Sequence, residues 1–287
     1  MQPKKSLGQH FLTSQKAIAE IIKAGDLNSN DVILEIGPGT GVLTEKLLAS
    51  GAQIIAIEKD GELVNLLKEK FAQEIKNKKL ILLHQDILKF NPETDLIFTK
   101  KISDKKIKIN KILKYKIIAN IPYYLTGMIF TKFLETKFKP DMIVLLVQKE
   151  IAERIVAKNK KESILSLAVK FYSRENPKII YKVSAGSFFP KPKVDSAVLQ
   201  IKIRSATNTD NVINNQYQKL EKKYLEIIKI AFAHKRKIML SNLKIAFKDI
   251  GWEKIFTELN LNKKVRAEDL QKEDFLKITE AIMVSSK

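Results

Sequence analysis

Four consecutive residues, Asn120-Ile121-Pro122-Tyr123, carry the side chains that a site for an amine-bearing aromatic base requires. They follow a short apolar run, residues 116–119, which we predict to be a buried strand. An amide oxygen can accept a hydrogen bond from an exocyclic amine, the proline fixes the turn, and a tyrosine ring can stack on a base. The stretch therefore predicts a binding corner for a flat base. The plainer alternative is an Asn-Pro turn with Tyr123 and Tyr124 packed in the core.

A glycine-rich loop lies earlier in the chain, between a predicted strand at residues 32–34 and a predicted helix. Glycines allow the backbone to approach a ligand closely and to adopt positive φ. The dinucleotide-binding fingerprint would have its third glycine at the position of Val42, so the spacing here is different. A turn without function is the plainer alternative. The three glycines are Gly37, Gly39 and Gly41.

Acidic side chains stand at the ends of the next two predicted strands. Glu58 ends the strand at residues 54–57 and is placed to hold the two hydroxyls of a ribose. Asp86 follows the strand at residues 80–83 and is placed to accept a hydrogen bond from an adenine amine. Together with the glycine loop, this pattern resembles the class I S-adenosylmethionine-dependent methyltransferases. A nicotinamide oxidoreductase would use a similar loop and acid, and it remains a distant alternative.

The first two thirds of the chain alternate short, wholly apolar runs with amphipathic segments, the first of which begins after Thr13 or Ser14. This pattern is typical of a parallel sheet with helices on both faces. Beyond residue 142 the pattern changes to a predicted antiparallel pair, 179–183 and 194–203. Ligands of such sheets bind at the carboxyl ends of the strands, near the switch point of the topology.

A polar stretch at residues 205–216 reads as a linker, and the segments after it are amphipathic without intervening strands. We therefore predict an α/β fold in two domains. The first, residues 1–204, is a Rossmann-like methyltransferase domain with a mainly parallel seven-stranded sheet. The second, residues 217–287, is a small all-helical domain whose many basic residues predict RNA binding.

The charge of the chain predicts a polyanionic partner. The sequence has 52 Lys and Arg against 32 Asp and Glu, a formal net charge of +20, and each neutralised phosphate releases condensed counterions. A general lysine-rich bias is the alternative explanation. Clustering at residues 100–116 and 219–248 favours a polyanion. The first of these clusters matches no motif and reads as a basic surface insertion.

Composition also excludes several classes. Without cysteine the chain can form neither disulfides nor thiolate zinc sites, and its three histidines argue against a His-rich metal site. No apolar run approaches the roughly 20 residues that span a bilayer, and the first residues lack the apolar core of a secretory signal. We expect a monomeric cytoplasmic protein without metal or membrane partners.

The Asn-x-Pro-Tyr stretch resembles the signature of methyltransferases that act on exocyclic amines. Two further stretches, residues 7–12 and 188–196, narrow the resemblance to the ribosomal RNA adenine dimethyltransferases. The resemblance runs in order from about residue 4 to residue 203. It implies S-adenosylmethionine as cofactor, S-adenosylhomocysteine as product, and a target adenine held between Tyr123 and Phe188. For Phe189 we expect ordinary core packing.

The resemblance also implies roles for individual residues. The side-chain oxygen of Asn120 and the carbonyl of Ile121 would accept hydrogen bonds from the target amine. Many members of the family have asparagine at the position of His10, which leaves open whether its cofactor contact is made by side chain or backbone. The predicted catalytic residues are Asn120, Pro122, Tyr123 and Phe188, and the predicted cofactor-binding residues are His10, Leu12, Gly37, Gly39, Gly41, Glu58, Asp86, Ile87 and Asn120.

The family implies a substrate, two adjacent adenosines in a hairpin near the 3′ end of 16S rRNA in the small subunit or its pre-30S precursor, and a role in ribosome biogenesis. Residues 232–237, 242–243 and 265–270 resemble the C-terminal pattern of this small-subunit branch. One alternative is the large-subunit (23S) branch that confers macrolide resistance. Another is an assembly factor whose binding matters more than its catalysis.

Overall fold

The computed structural model describes residues 3–4, 7–96, 99–102, 105–108, 114–157, 161–204, 211–234 and 237–285. The chain forms two compact units, Met1–Ala152 with Ser173–Arg204 and Glu153–Tyr172 with Ser205–Lys287. The sequence-based division placed residues 153–172 in the first domain, whereas this segment is part of the second unit. Its rings explain the difference, because Phe171 stacks on Tyr224 with 4.5 Å between ring centroids.

The described elements match the predicted alternation of strands and helices. The strands are β1 (Phe11–Leu12), β2 (Val32–Ile36), β3 (Gln53–Glu58), β4 (Leu80–His84), β5 (Thr99–Ile102), β6 (Lys105–Lys108), β7 (Lys116–Asn120), β8 (Met142–Gln148), β9 (Lys178–Val183), β10 (Phe188–Phe189) and β11 (Ser196–Lys202). The helices are α1 (Gln15–Gly25), α2 (Val42–Ala49), α3 (Gly61–Lys70), α4 (Ala72–Lys76), α5 (Pro92–Asp95), α6 (Thr126–Leu134), α7 (Lys149–Ile155), α8 (Ile164–Tyr172), α9 (Asn211–Ala231), α10 (Met239–Ala246), α11 (Trp252–Glu258) and α12 (Lys272–Ser285). None of the helices in the described part of the chain is long and apolar enough to cross a membrane.

A seven-stranded sheet with the order β4-β3-β2-β7-β8-β11-β9 forms the centre of the first unit. The five strands from β4 to β8 are parallel, and β11 runs antiparallel to both of its neighbours. This confirms the predicted, mainly parallel seven-stranded sheet. The chain runs outward from β2 to β4 and then returns to β7 on the other side of β2. The switch point of the topology therefore lies between β2 and β7, where such sheets bind ligands.

A two-stranded ribbon joins the N-terminal segment to a later part of the unit. In this ribbon β1 pairs antiparallel with β10, so that Leu12 lies opposite Phe188 and Phe11 opposite Phe189. The backbone and hydroxyl of Thr13 both donate to the carbonyl of Ser187, at 2.8 and 2.9 Å. The predicted basic insertion contains the antiparallel pair β5–β6, and the rest of it between residues 97 and 113 lies outside the described residues.

In the second unit α8, α10 and α12 pack against α9 around a core that includes Tyr224, Ile228, Phe275 and Ile278. Helix α9 begins at Asn211, so the predicted linker is wrong for residues 211–216. The N-terminal end of α9 is a polar segment. Polar residues are compatible with helical backbone where a helix faces solvent. Polarity alone therefore did not distinguish helix from linker. Residues 205–210 lie outside the described residues.

Gly41 provides a test of how the glycine loop packs. Its φ is +78°, and a Cβ there would lie 2.6 Å from the ring of Phe71 and 2.9 Å from Leu67. Gly37 has a similar φ of +66°, but a Cβ there would meet nothing within 4 Å. We expect Gly41→Ala to lower the free energy of unfolding by about 2–5 kcal/mol, from backbone strain and overpacking combined. Gly37→Ala should cost only the strain, about 1–2 kcal/mol.

Urea unfolding of both variants measures the difference. Because both positions have a positive φ, the excess loss in Gly41→Ala measures the clash with Phe71 and Leu67. Equal losses in the two variants would show that Phe71 moves aside freely. Gly127→Ala, where a Cβ also has open space, controls for the substitution itself.

Candidate active site

An open cleft lies at the carboxyl ends of β2, β3, β4 and β7. Its walls come from the N-terminal segment (residues 7–12), the glycine loop, the ends of these strands and the turn at residues 120–125. All but one of the predicted site residues line it. Those that do are His10, Leu12, Gly37, Gly39, Glu58, Asp86, Ile87, Asn120, Pro122, Tyr123 and Phe188.

The glycine loop gives the cleft an open backbone edge. Gly37 and Gly39 both have positive φ, and a Cβ on Gly37 would face empty space. The amide of Gly37 donates to the carbonyl of Ile57 at 2.9 Å, which fixes the loop to β3. Gly41 does not line the cleft and instead begins α2 against Phe71. Its predicted role as a cofactor contact stays a prediction, and packing already explains why it is glycine.

Glu58 is a buried carboxylate that three backbone amides hold in place. Its Oε1 accepts from the amides of Lys59 and Asp60 at 2.8 and 2.9 Å, and its Oε2 accepts from Gly39 at 3.2 Å. Burial raises the pKa of Glu58, and the amide hydrogen bonds oppose that rise. A fixed acceptor at the edge of the cleft can bind the hydroxyl groups of a ribose.

Asp86 lies in the cleft but is already paired. Its Oδ2 is 2.8 Å from Nζ of Lys59, and its Oδ1 accepts from the amide of Leu88 at 2.9 Å. The lysine lowers the pKa of Asp86, as does the amide. A ligand amine at this position would share the carboxylate with Lys59. Lys59 was not among the predicted site residues, although it directly follows Glu58 in the sequence.

Glu35 is a second buried carboxyl in the cleft that the sequence analysis did not assign. It is 1% exposed, it lies in the fully buried strand β2, and its Oε2 has no hydrogen-bond partner among the described residues. Burial raises the pKa of Glu35 to about 8. An acid within an otherwise apolar strand, two residues before the first glycine, was the signal that could have identified it.

The N-terminal segment sets the orientation of the Asn120 amide. Nδ2 of Asn120 donates to the carbonyl oxygen of His10 at 3.2 Å. A carbonyl can only accept, so the amide nitrogen faces His10 and Oδ1 is left to accept from another donor. The imidazole of His10 lies 2.7 Å from the carbonyl of Pro190 and donates to it through Nδ1–H. His10 thereby connects Asn120, at the end of β7, to the loop after β10.

Tyr123 is fixed on two sides. Its hydroxyl is hydrogen-bonded to Oγ of Ser196 at 2.7 Å, and its ring stacks on the imidazole of His10 at 5.8 Å between centroids. Burial raises the pKa of Tyr123, so the phenol is neutral at physiological pH. Phe188, at 5% exposure, lies in the cleft wall beside the core. Ser196 was part of the motif at residues 188–196, but its contact with Tyr123 was not predicted.

Two aromatic side chains near the cleft are exposed, one of them against expectation. Phe189 is 62% exposed, so its predicted core packing is wrong. Successive side chains of a strand point to opposite faces, and Phe188 takes the buried face of β10. Tyr124 is 55% exposed at the cleft, which excludes the alternative that both tyrosines of the motif are core residues.

Asp60 anchors the N-terminal segment, which the sequence analysis did not foresee. It accepts from Nζ of Lys4 at 2.7 Å and from Nε2 of Gln9 at 3.0 Å, while it also caps α3 through the amide of Glu62. Burial opposes ionisation, but the hydrogen bonds from Lys4 and Gln9 prevail and lower the pKa of Asp60. The anchor holds residues 7–12 beside the strand ends. The described residues contain no cluster of three or more metal-binding side chains.

A seven-stranded Rossmann-like sheet, a glycine loop after β2, and acids after β3 and β4 together define a class I methyltransferase domain. The comparison with protein families then identifies the group within that class. The family model for "Ribosomal RNA adenine dimethylase" matches residues 1–283. The chain belongs to this family and is therefore an rRNA adenine dimethyltransferase, as the sequence resemblance predicted.

Relatives of known name point to one branch. The chain is 39% identical over 277 residues, 96% of its length and 97% of the relative's, to ribosomal RNA small subunit methyltransferase A of Mycoplasmopsis pulmonis. It is also 39% identical to the protein of the same name from Dehalococcoides mccartyi, over 85% of this chain and 75% of that one. These relatives do not favour the large-subunit alternative.

Two solved structures show the same fold. A dimethyladenosine transferase from Plasmodium falciparum superposes with a TM-score of 0.73 at 24% identity, over 96% of this chain and 98% of that one. The 23S rRNA methyltransferase ErmE superposes with a TM-score of 0.71 at 20% identity, covering 94% and 98%. At these identities the similarity establishes the fold alone.

The Glu35 carboxyl predicts a pH-dependent stability. Its pKa is about 8 in the folded chain against an ordinary value of 4.5, so the folded chain binds this proton more tightly than the unfolded chain. The stability it contributes is complete below pH 4.5 and is lost as the pH rises to about 8. Glu35→Gln, which cannot ionise, should therefore melt a few degrees above the parent at pH 8 to 9.

Calorimetric melting curves at several pH values measure this difference. The gap between Glu35→Gln and the parent should grow steadily from pH 5 to pH 8. A gap that does not change with pH would contradict the buried neutral carboxyl.

Proposed function

We propose that this chain transfers two methyl groups from S-adenosylmethionine to N6 of each of two adjacent adenosines in a hairpin near the 3′ end of 16S rRNA. The observation that carries the proposal is the orientation of Asn120. Its Nδ2 is engaged by His10, so Oδ1 is the atom presented to a base amine. The family membership and the names of the relatives support the same reaction.

The cleft fits the proposed cofactor. Gly37 offers open backbone, Glu58 is a fixed acceptor for ribose hydroxyls, and Asp86 and Ile87 line the cleft where the adenine would lie. The unpartnered Oε2 of buried Glu35 would accept from the ammonium of the methionine group. His10 and Leu12 would close the pocket from the N-terminal segment. The bound cofactor supplies an electrophilic methyl group on a sulfonium.

The residues of this chain would act mainly by positioning. The amine of adenine is a weak nucleophile because its lone pair is delocalised into the ring. Hydrogen bonds to Oδ1 of Asn120 and to the carbonyl of Ile121 would favour a tetrahedral nitrogen and aim its lone pair at the methyl group. Pro122 fixes the turn, and its carbonyl accepts from the amide of Leu125 at 3.0 Å.

Tyr123 would stack on one face of the target base and Phe188 would lie against the other. Tyr123 has little freedom to turn, because Ser196 and His10 hold it. An adenosine reaches such a pocket only when it leaves its stack. For the second methylation the monomethylated amine must turn, so one of its two acceptors has to release it.

We propose that the helical second unit binds the rRNA. Exposed lysines and an arginine are distributed over its helices and turns, which suits a phosphate backbone. They include Lys219, Lys222, Lys229, Lys237, Lys244, Lys248, Lys254, Lys263, Lys264 and Arg266. The substrate would be the small subunit or its pre-30S precursor, and the reaction would take place in the cytoplasm by a monomer.

Mass spectrometry of rRNA after incubation with undermodified ribosomal subunits and S-adenosylmethionine tests the proposal. Two adjacent dimethyladenosines in 16S rRNA are expected. Dimethyladenosine in 23S rRNA would instead support the large-subunit alternative. An inactive variant that still rescued subunit assembly in a deletion strain would favour a role as an assembly factor.

Asn120→Ala should abolish methyl transfer because it removes the acceptor that orients the amine. The loss should be at least about 100-fold in kcat, as for other preorganised hydrogen-bonding groups, with S-adenosylhomocysteine binding largely intact. A tritiated-methyl assay on undermodified small subunits measures it. Near-normal turnover would refute the role of Asn120. Asn120→Asp keeps an acceptor but loses the donor to His10, and it should also be impaired.

Glu58→Ala should weaken cofactor binding rather than methyl transfer at saturation. Loss of charged hydrogen bonds to ribose would raise the Kd for S-adenosylhomocysteine about tenfold or more. Isothermal titration calorimetry measures the affinity, and circular dichroism confirms that each variant is folded. Unchanged affinity in folded Glu58→Ala would exclude the ribose contact.

A further inference from the structure

Phe189 is a large aromatic side chain exposed beside the catalytic cleft. It is 62% exposed, and it lies between two residues tied to the cleft. Phe188 before it lines the cleft, and Pro190 after it accepts the hydrogen bond from His10. Two other exposed apolar side chains, Tyr124 and Leu88, line the same cleft. Phe11, the cross-strand partner of Phe189, also lines the cleft, so Phe189 lies beside a cleft-lining residue on the same face of the β1–β10 ribbon.

The backbone that carries Phe189 is fixed at both ends. On one side β10 pairs with β1, and Thr13 donates twice to the carbonyl of Ser187. On the other side Asp195 accepts from the amides of Lys149 and Ala185, both at 3.0 Å. Pro190 and Pro192 restrict the backbone between these anchors. The exposed ring is thus presented on a rigid support, which lowers the entropic cost of binding to it.

Two exposed lysines follow Phe189 at alternate positions. Lys191 and Lys193 have no ion-pair partner among the described residues. The Cα of Lys191 lies within about 7 Å of that of Phe189, since two residues span no more than this. A ring for stacking and cations for phosphate are the combination that binds single-stranded nucleic acid.

We propose that Phe189 is the stacking platform for the nucleotide next to the target adenosine, with Lys191 and Lys193 on the adjoining phosphates. The inference rests on the proposed function and adds a second base subsite to it. Bases in single-stranded RNA loops can be splayed out of their stack and then stack on aromatic side chains. Because the proposed substrate is a pair of adjacent adenosines, the platform holds the second adenosine while the first reacts.

Steady-state methyl transfer to undermodified small subunits tests the platform. Phe189→Ala should raise KM about tenfold, equivalent to about 1.4 kcal/mol, which is the range of one base stack. The kcat should change by no more than about twofold, because the interaction is made before the chemical step. Phe189→Trp should keep the parental KM. Phe189→Leu, which is apolar but cannot stack, should resemble Phe189→Ala.

The lysines have their own signature. Replacing both Lys191 and Lys193 by alanine should weaken rRNA binding and reduce the slope of log K against log salt by about 1.4. Binding of S-adenosylhomocysteine should not change in any of these variants.

A parental KM in Phe189→Ala overturns the platform. So does a parental KM in Phe189→Leu, because general apolar contact would then suffice. If the parent chain itself methylates no small-subunit rRNA, the proposed function fails, and the platform fails with it. If the parent methylates normally while Phe189→Ala does too, the platform alone is wrong.

Discussion

The hydrogen bond from Asn120 to the carbonyl of His10 is the contact on which the site depends. It decides which atom of the amide faces the cleft, and that atom decides whether a base amine finds an acceptor. The bond exists only while residues 7–12 lie across the end of β7. Asp60 holds that segment through Lys4 and Gln9, and the β1–β10 ribbon holds it from the other side. Contacts from distant parts of the chain thus fix the orientation of the Asn120 side-chain amide.

Electrostatics divides the cleft into two regions. Glu35 and Glu58 are buried carboxyls whose pKa values are raised by loss of water, whereas Asp86 is paired with Lys59, which lowers its pKa. A cationic ligand group would offset the cost of burying Glu35, and a neutral base would not. The apolar corner formed by Tyr123 and Phe188 carries no such charge. Charged side chains would therefore position the proposed methyl donor, S-adenosylmethionine. The shape of the apolar corner would position the base that accepts the methyl group.

Much of the fold followed from sequence because parallel strands and glycine turns leave strong local patterns. The strand ends at Glu58 and Asn120 were predicted correctly, since an apolar run stops where the ligand edge begins. The anchors were not predicted. Contacts of Asp60 with Gln9, or of Tyr123 with Ser196, join residues 51 and 73 positions apart, and no local pattern encodes them. The prediction that Phe189 packs in the core was wrong, because a two-residue strand offers no periodicity from which to assign its two faces.

The order of the strands has a consequence for how the chain acquires its shape during synthesis. β11 lies between β8 and β9, so β9 has no neighbour in the sheet until the last strand of the unit has emerged. The β1–β10 ribbon also forms late, because Leu12 and its partner Phe188 are 176 positions apart. Loops of this length slow folding. The parallel half of the sheet can form early from nearby segments, but the cleft becomes complete only when the two edges close, late in translation.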